Sequence, residues 1–565
     1  MKQCVLWGAF LFYMMILSPQ AIAAQSNKPK LILQITVDQL RGDLPTRYKD
    51  RFGKGGFRYF FKKGVYYSNA HYQYANTETI VGHTTLATGA HPAAHGMIGN
   101  VWFDRQTGSL TYNIEDPRYP LLSAGAGVDQ KTEIDPTQKT AKTEGRSPQA
   151  ILVSTLSDEL AIHYAGQSKI FGVSVKDRGA VSMAGHAGKA FWFSKKTGEF
   201  VTSRYYYDQY PKWVVQWNQQ RRAFDYANTS WELLNDPSSY LFGDADDREY
   251  ETNFPGFGRT FPHPYGAADN KYYTTLLTLS PAGDELVLDF AQRLIVEEQL
   301  GKDDIPDYLA VSFSSTDYVG HIFGPSSLES EDNLMRLDRT LASLLSFIDK
   351  QVGLRNTLIV LSADHGSPEV PGYLQSLGIP SGYVDPKSWE KQPAFERLKA
   401  KFGNGEELIE TYFHPYIYLN QEVIKAKGLD QAEVERAIAK EISQFKGVAL
   451  AISSSDLRAN SLPEMPLLRA VLNNFNPKRS GDIFVVFEPH WFINDFDGLT
   501  VAATHGSPWN YDTYVPIFFA GHKIKRRSVA RPVGPQDIAA TIANYLQIKP
   551  PSASVGVPLQ EVLRR

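Results

Sequence analysis

Cysteine is all but missing from this chain, which holds Cys4 and no other among its 565 residues. Cys4 precedes the apolar stretch 5–17, a place where a lipid-bearing cysteine is not expected. Beyond it, disulfide frameworks and thiolate metal ligands are excluded. A surplus of one charge is lacking too, because 58 Lys and Arg against 61 Asp and Glu leave a formal net charge of -3. Such a balance gives no bulk attraction to a polyanion, so nucleic acid is not expected as a partner. The stretch 5–17 is shorter than the roughly 20 apolar residues that a spanning helix needs, and no later segment reads as transmembrane. Internal repeats and low-complexity tracts are missing as well.

What is there begins with Lys2, the apolar stretch, the break at Ser18-Pro19 and the small residues Ala21 and Ala23. These read as a secretory signal peptide over residues 1–23, so a periplasmic or secreted location without a stable membrane anchor is expected. The remainder, 24–565, is long enough for two or three domains, and equally for one large α/β domain with insertions. Strand-like runs such as LILQITV, KIFGVSV, YLAVSFS, NTLIVLS and VPIFFAG alternate with helical stretches such as ELVLDFAQRLIVEEQL. That is the order of an α/β fold with a doubly wound, mostly parallel sheet. The pattern gives way twice. Residues 183–281 are aromatic and loop-rich, and so long an irregular stretch suggests a cap. Residues 368–492 carry strand and helix signals of their own, as a small subdomain would.

Chemistry-bearing residues gather at the ends of the runs. Asp38 closes LQITVD, Asp317 and His321 stand in STDYVGH, Asp364 and His365 in LSADHG, and His505 in ATHGSPW. Strand ends of a parallel sheet converge on one crevice, so the set reads as a metal site assembled from several strand tips. Taken singly, each has a plainer reading: Asp38 or Asp317 as a helix cap, His505 as a structural histidine. Together, three carboxylates and three imidazoles without cysteine suit zinc or another borderline divalent ion, manganese included. Gly366 is expected to allow the sharp turn that aims Asp364 and His365 outward. Thr79, in NTETIVGHTT, could cap a helix; at a helix start the free N–H groups would also favour an alkoxide and an anionic phosphoryl group.

The segments VDQLRGD, NTETIVGHTTLATGAHPAAHGMIGN, SVKDRGAV, TDYVGH, ADHG and THGSPWNYD follow one another in this order. On them the chain resembles the alkaline phosphatase superfamily, and most closely its PafA-type phosphate monoesterases with a threonine nucleophile. The resemblance implies an alkaline-phosphatase-like three-layer α/β/α sandwich and two Zn2+ ions. One ion would be held by Asp317, His321 and His505, the other by Asp38, Asp364, His365 and the oxygen of Thr79. His83, His91 and His95 match no ligand position and are read as structural. The resemblance makes Thr79 the nucleophile of a covalent phosphothreonine pathway, with Asn100, Lys176 and Arg178 contacting the phosphoryl oxygens. Lys176 would stand where other alkaline phosphatases place a magnesium-linked group, so two metals only are expected. A terminal phosphoryl dianion suits that basic pair better than a diester, which makes small phosphate monoesters the expected substrates of a monomeric enzyme. A phosphodiesterase or nucleotide pyrophosphatase of the same superfamily is the alternative, and a non-catalytic metal-binding protein the remote one. A sulfatase would need a cysteine that is absent.

Overall fold

A computed structural model describes residues 28–403, 407–459 and 462–564. The expected signal peptide and Cys4 lie outside the described residues. Nine strands form the central sheet: β1 (Leu31–Val37), β2 (Val65–His71), β3 (Ile170–Ser174), β4 (Lys189–Ser194), β5 (Glu199–Val201), β6 (Asp307–Phe313), β7 (Thr357–Ser362), β8 (Tyr514–Gly521) and β9 (Arg527–Val529), in the order β9-β2-β8-β7-β1-β6-β3-β4-β5. The run β7-β1-β6-β3-β4 is parallel throughout, in register from Leu31 opposite both Asp307 and Thr357. β8 lies antiparallel to β7 and β2, and β5 antiparallel to β4. The expected doubly wound, mostly parallel α/β sheet is therefore present.

The sequence of β1 explains its place. A strand covered on both faces must be apolar at successive positions rather than alternate ones, and all seven residues of LILQITV are buried. Its one long polar side chain, Gln34, accepts a hydrogen bond from the Tyr308 hydroxyl at 2.9 Å. Helices cover the sheet, among them α1 (Thr79–Thr88), α2 (Asp177–Ala184), α3 (Pro281–Glu297), α4 (Ser315–Phe323) and α5 (Leu328–Gln351).

The topology collects one edge of the sheet. Asp38 follows β1, Lys176 follows β3, α4 follows β6 and Asp364 follows β7. β8 runs the opposite way, so the residues just before it, His505 among them, reach the same edge. Two of the sheet strands, β4 and β5, lie within residues 183–281. Its aromatic side chains pack on the helices: Phe200 of β5 stacks on Phe290 of α3 at 4.1 Å between ring centroids, and beyond the strands the Trp217 and Trp231 indoles donate to Asp289 and Asp332 at 2.7 and 2.6 Å. Residues 409–487 include a separate four-stranded antiparallel sheet with its own apolar core around Ile417, Val434, Ile438 and Val485.

Candidate metal and phosphoryl site

Thr79 is the first residue of α1, and Glu78 occupies the cap position, so the Thr79 hydroxyl caps nothing. It instead receives the Arg178 Nη2 hydrogen bond at 3.2 Å, with Lys176 Nζ at 3.5 Å. α1 can approach the ligand-bearing loop because residue 82 is glycine: a Cβ there would meet the Asp364 carbonyl oxygen at 2.0 Å. Lys176 and Arg178, at the start of α2, are 1% and 3% exposed, which removes the reading of KDR as a solvated turn. Asn100 Oδ1 accepts from the Ile80 N–H at 3.1 Å, leaving Nδ2 as a donor beside the helix start.

Asp317 and His321 sit one turn apart on α4 rather than at a strand end, with His321 Nε2 3.3 Å from Asp317 Oδ1. His505 Nε2 reaches the same oxygen at 3.3 Å. His365 Nε2 lies 3.4 Å from both Asp38 Oδ1 and Asp364 Oδ2, and its ring stacks on His505 at 3.6 Å. Two triplets, Asp317–His365–His505 and Asp38–Asp364–His365, have all their donor atoms within 4.8 Å of one another. The structure thus brings all six charged or imidazole positions together, with His365 shared between the tightest groups and His321 at their margin. Gly366 does not serve through a left-handed turn. Its role is close approach, since a Cβ there would meet the Tyr511 carbonyl oxygen at 2.1 Å.

The donor set fits divalent metal on its own terms. Asp38 Oδ1 and His365 Nε2 are buried without a hydrogen-bond partner, and Asp38 Oδ2 and Asp364 Oδ2 meet the Lys176 ammonium at 2.7 Å and His83 Nδ1 at 3.1 Å, an excess of buried carboxylate that a cation compensates. Each histidine has its Nδ1 against a backbone carbonyl: His321 to Ala503 at 2.8 Å, His365 to Gly366 at 3.0 Å, His505 to Thr77 at 2.7 Å. A carbonyl only accepts, so Nδ1 carries the proton and Nε2 presents its lone pair.

Charge is balanced by the basic pair. Burial would raise the Asp38 and Asp317 carboxyls, but the Lys176 ammonium, 2.7 Å from Asp38 Oδ2 and also bonded to Asp317, holds both well below the ordinary range. Burial opposes the charge on Arg178 as well, and Asp135, 2.8 Å from its Nη1, more than restores it. Arg178 Nη2 meets the Thr79 hydroxyl and Nε has no partner, so one N–H of that guanidinium edge is left unspent.

Several contributors escape sequence reading. Gln39 adopts a left-handed φ of 66° while its N–H donates to Asp364 Oδ1 at 3.1 Å and its Nε2 to Asp317 Oδ1 at 2.9 Å. Asp135 orients Arg178, and Glu78, its carboxyl pushed up to about 7 by burial, accepts the Asn100 N–H at 2.6 Å. The acid one residue before Thr79 was the available signal for Glu78; nothing local marks Asp135. His83 adjoins the ligand set, 2.9 Å from the Thr79 carbonyl and 3.1 Å from Asp364 Oδ2. His95 bonds Met97 N–H and Thr85, and His91 stands just before the short helix Pro92–His95, both away from the ligand set.

Comparison with known proteins adds the following. A family profile described as "Type I phosphodiesterase / nucleotide pyrophosphatase" matches residues 32–508. A protein of Myroides odoratus named calcium-transporting ATPase is 36% identical over 544 residues, covering 95% of each chain. Alkaline phosphatase PafA of Elizabethkingia meningoseptica is 34% identical over 564 residues, 98% of this chain and 99% of that one. A crystal structure of wild-type alkaline phosphatase PafA superposes with a TM-score of 0.86 at 33% identity, over 95% of this chain and 99% of that chain.

Proposed function

We propose, from the premise that this chain belongs to the type I phosphodiesterase / nucleotide pyrophosphatase family of the alkaline phosphatase superfamily, that it hydrolyses phosphate monoesters through a phosphothreonine at Thr79. The chain is a phosphoric monoester hydrolase of metal-dependent type, acting on small phosphate substrates. The finer reading rests on one observation: the unpaired Nε of a buried arginine whose Nη2 meets a hydroxyl at a helix start. A dianionic phosphoryl group fills that guanidinium edge with two parallel hydrogen bonds.

Asp317, His321 and His505 would hold one zinc ion, and Asp38, Asp364, His365 and Thr79 the other. Bound there, the pair supplies positive charge to the nucleophilic and leaving oxygens. Thr79 Oγ1 forms the new bond to phosphorus as the ester bond breaks in line, and the leaving oxygen takes up a proton. Water then attacks the phosphothreonine, the Oγ1–P bond breaks, and inorganic phosphate leaves. Arg178, Lys176 and the Asn100 Nδ2 stabilise the equatorial oxygens in both steps, and the first amides of α1 add their partial positive charge. Lys176, between Asp38 and Asp317, supplies the charge that a third ion would otherwise bring. Export by the leader expected at residues 1–23 and a monomeric state complete the reading.

The decisive comparison sets an aryl phosphate monoester against its methyl diester and against ATP, whose terminal phosphoryl group is also a dianion. Monoester preference and an acid-stable phosphothreonine at Thr79, found by peptide mass spectrometry after quench, are expected. A diester preference, or full activity in Thr79→Ala, overturns the proposal.

A further inference from the structure

Asp135 orients Arg178, and its own place rests on very little regular structure. From residue 113 to residue 155 the chain carries no strand beyond isolated bridges and one helix, the four-residue Pro136–Lys139, with Asp135 at its cap. Both carboxylate oxygens are engaged. Oδ1 accepts the Thr137 N–H at 2.9 Å and the Thr137 hydroxyl at 2.6 Å, and Oδ2 takes Arg178 Nη1 at 2.8 Å. A shift of this turn therefore moves the guanidinium with it.

An ion pair outside the mechanism holds the turn. Glu133 Oε1 accepts the N–H groups of Ile134 and Asp135, both at 2.9 Å, and bonds the Lys195 ammonium. The pair is buried, with 2% of the Glu133 side chain and 11% of the Lys195 side chain exposed. Lys195 directly follows β4, so its ammonium reaches the turn from the central sheet. It also donates to the Tyr318 hydroxyl at 3.4 Å and lies 5.2 Å from the centre of that ring, which Lys176 faces at 5.0 Å. Tyr318 stands on α4 directly after Asp317. One ammonium thus touches both the turn that aims Arg178 and the helix that carries Asp317 and His321. Two further ties of the turn, Thr275 Oγ1 to the Thr132 carbonyl at 3.3 Å and Lys139 to Asp497 at 3.1 Å, are long or solvent-facing. A buried ion pair adds little stability over an apolar pair of the same volume. What this one adds is direction, because Glu133 faces two N–H groups and Lys195 at once.

We propose, on the reading of Arg178 as a phosphoryl contact, that Lys195 and Glu133 are positioning residues for phosphoryl transfer, holding Asp135 and Arg178 in register with the ligand-bearing α4. They act through Asp135 rather than on the substrate.

The test is a double-mutant cycle on the full-length enzyme. Lys195→Met keeps most of the side chain's length and removes its charge. The double variant Lys195→Met/Glu133→Gln removes both charges, so no buried carboxylate is left unpaired should the single variant fail to fold; melting temperatures verify that each variant is folded. Hydrolysis of an aryl phosphate monoester and of its methyl diester, and inhibition by inorganic phosphate, are measured with and without Arg178→Ala. Lys195→Met should lower monoester kcat/KM by as much as about 10²-fold, the scale of a misplaced contact, weaken inhibition by phosphate, and change diester hydrolysis far less. In Arg178→Ala the same substitution should have no further effect, because the group it positions is gone. Lys195→Arg, which keeps the charge, should recover part of the loss. Equal losses on monoester and diester, equal losses with and without Arg178, or loss of folding in both variants would show that the pair only braces the loop and would overturn the proposal. A wild type that prefers the diester would instead overturn the functional reading, and the cycle with Arg178 would still decide the role of Lys195 on that substrate.

Discussion

Arg178 shows how much one side chain contributes when its surroundings leave it no alternative. With Nη1 engaged by Asp135 and Nε unpaired, its remaining edge stabilises charge only when a phosphoryl group arrives. Removing one such preorganised donor costs on the order of 10²–10³ in rate, and Arg178→Ala should lose that much kcat/KM for monoesters while losing far less for a diester. Asp135→Asn keeps the guanidinium but frees its orientation, so its loss should be smaller and should lie partly in KM. Gln39 acts on the metal instead. Holding two ligand carboxylates from one strained residue resembles the outer-shell contacts whose removal costs about 10–100-fold in metal affinity. Gln39→Ala should weaken metal binding by that order in a chelator competition on the apo-protein, and an unchanged affinity would reduce Gln39 to a packing residue.

Elements hold the site at a distance. The helix Leu156–His163 begins with a reciprocal capping box between Thr155 and Asp158. Asp158 also accepts from His186 and Ala187 N–H and from His186 Nδ1, at 2.8, 2.9 and 2.8 Å, which ties the helix to the link between α2 and β4. The bond from Asp158 raises the His186 pKa above its ordinary 6.5 against opposing burial. Burial would raise the Asp158 carboxyl, and the His186 bond outweighs it to leave the pKa below 3.8. A raised histidine contributes fully below 6.5 and is lost as pH climbs through its folded value; a lowered carboxyl contributes above 3.8 and is lost as pH falls. The pair should therefore contribute most between these limits, by about 1 kcal/mol. The melting-temperature gap between the wild type and His186→Gln should be widest between pH 3.8 and 6.5 and narrow as pH climbs through the raised histidine value, and a flat gap would contradict the linkage. At this scale much was legible: the apolar runs predicted β1, β3, β6, β7 and β8, because buried parallel strands write their burial into consecutive residues. β4 and β5 were not, because KAFWFS sits in an aromatic neighbourhood whose side chains pack on α3 as readily as in a sheet.

In the whole molecule, one edge of the sheet concentrates Asp38, Asp317 and Asp364 with Lys176 and Arg178 as the basic counterweight. Metal binds this folded arrangement and not the unfolded chain, so occupancy adds stability by mass action, about 2.7 kcal/mol when free metal exceeds its dissociation constant a hundredfold. Chelation should lower the melting temperature by several degrees, and readdition of Zn2+ should restore it together with activity. A chelator that abolished activity with no change in melting would mean that the centre contributes nothing to folding. Among the described residues no helix is long and apolar enough to cross a membrane.

Residue type and order along the chain were enough to set the expected chemistry: carboxylates and imidazoles just past apolar runs, a threonine at a helix start, a basic pair after a strand, and no thiol to compete. These signals are local, each contained in ten residues or fewer, and local physics writes them. Only the folded chain decided which donors meet. It placed His365 between the two ligand groups, turned Gln39 into a left-handed bridge between Asp317 and Asp364, and set Asp135 behind Arg178. Such meetings depend on packing between elements far apart in sequence, where a side chain's partner is fixed by the shape of the core and leaves no mark in its own neighbourhood.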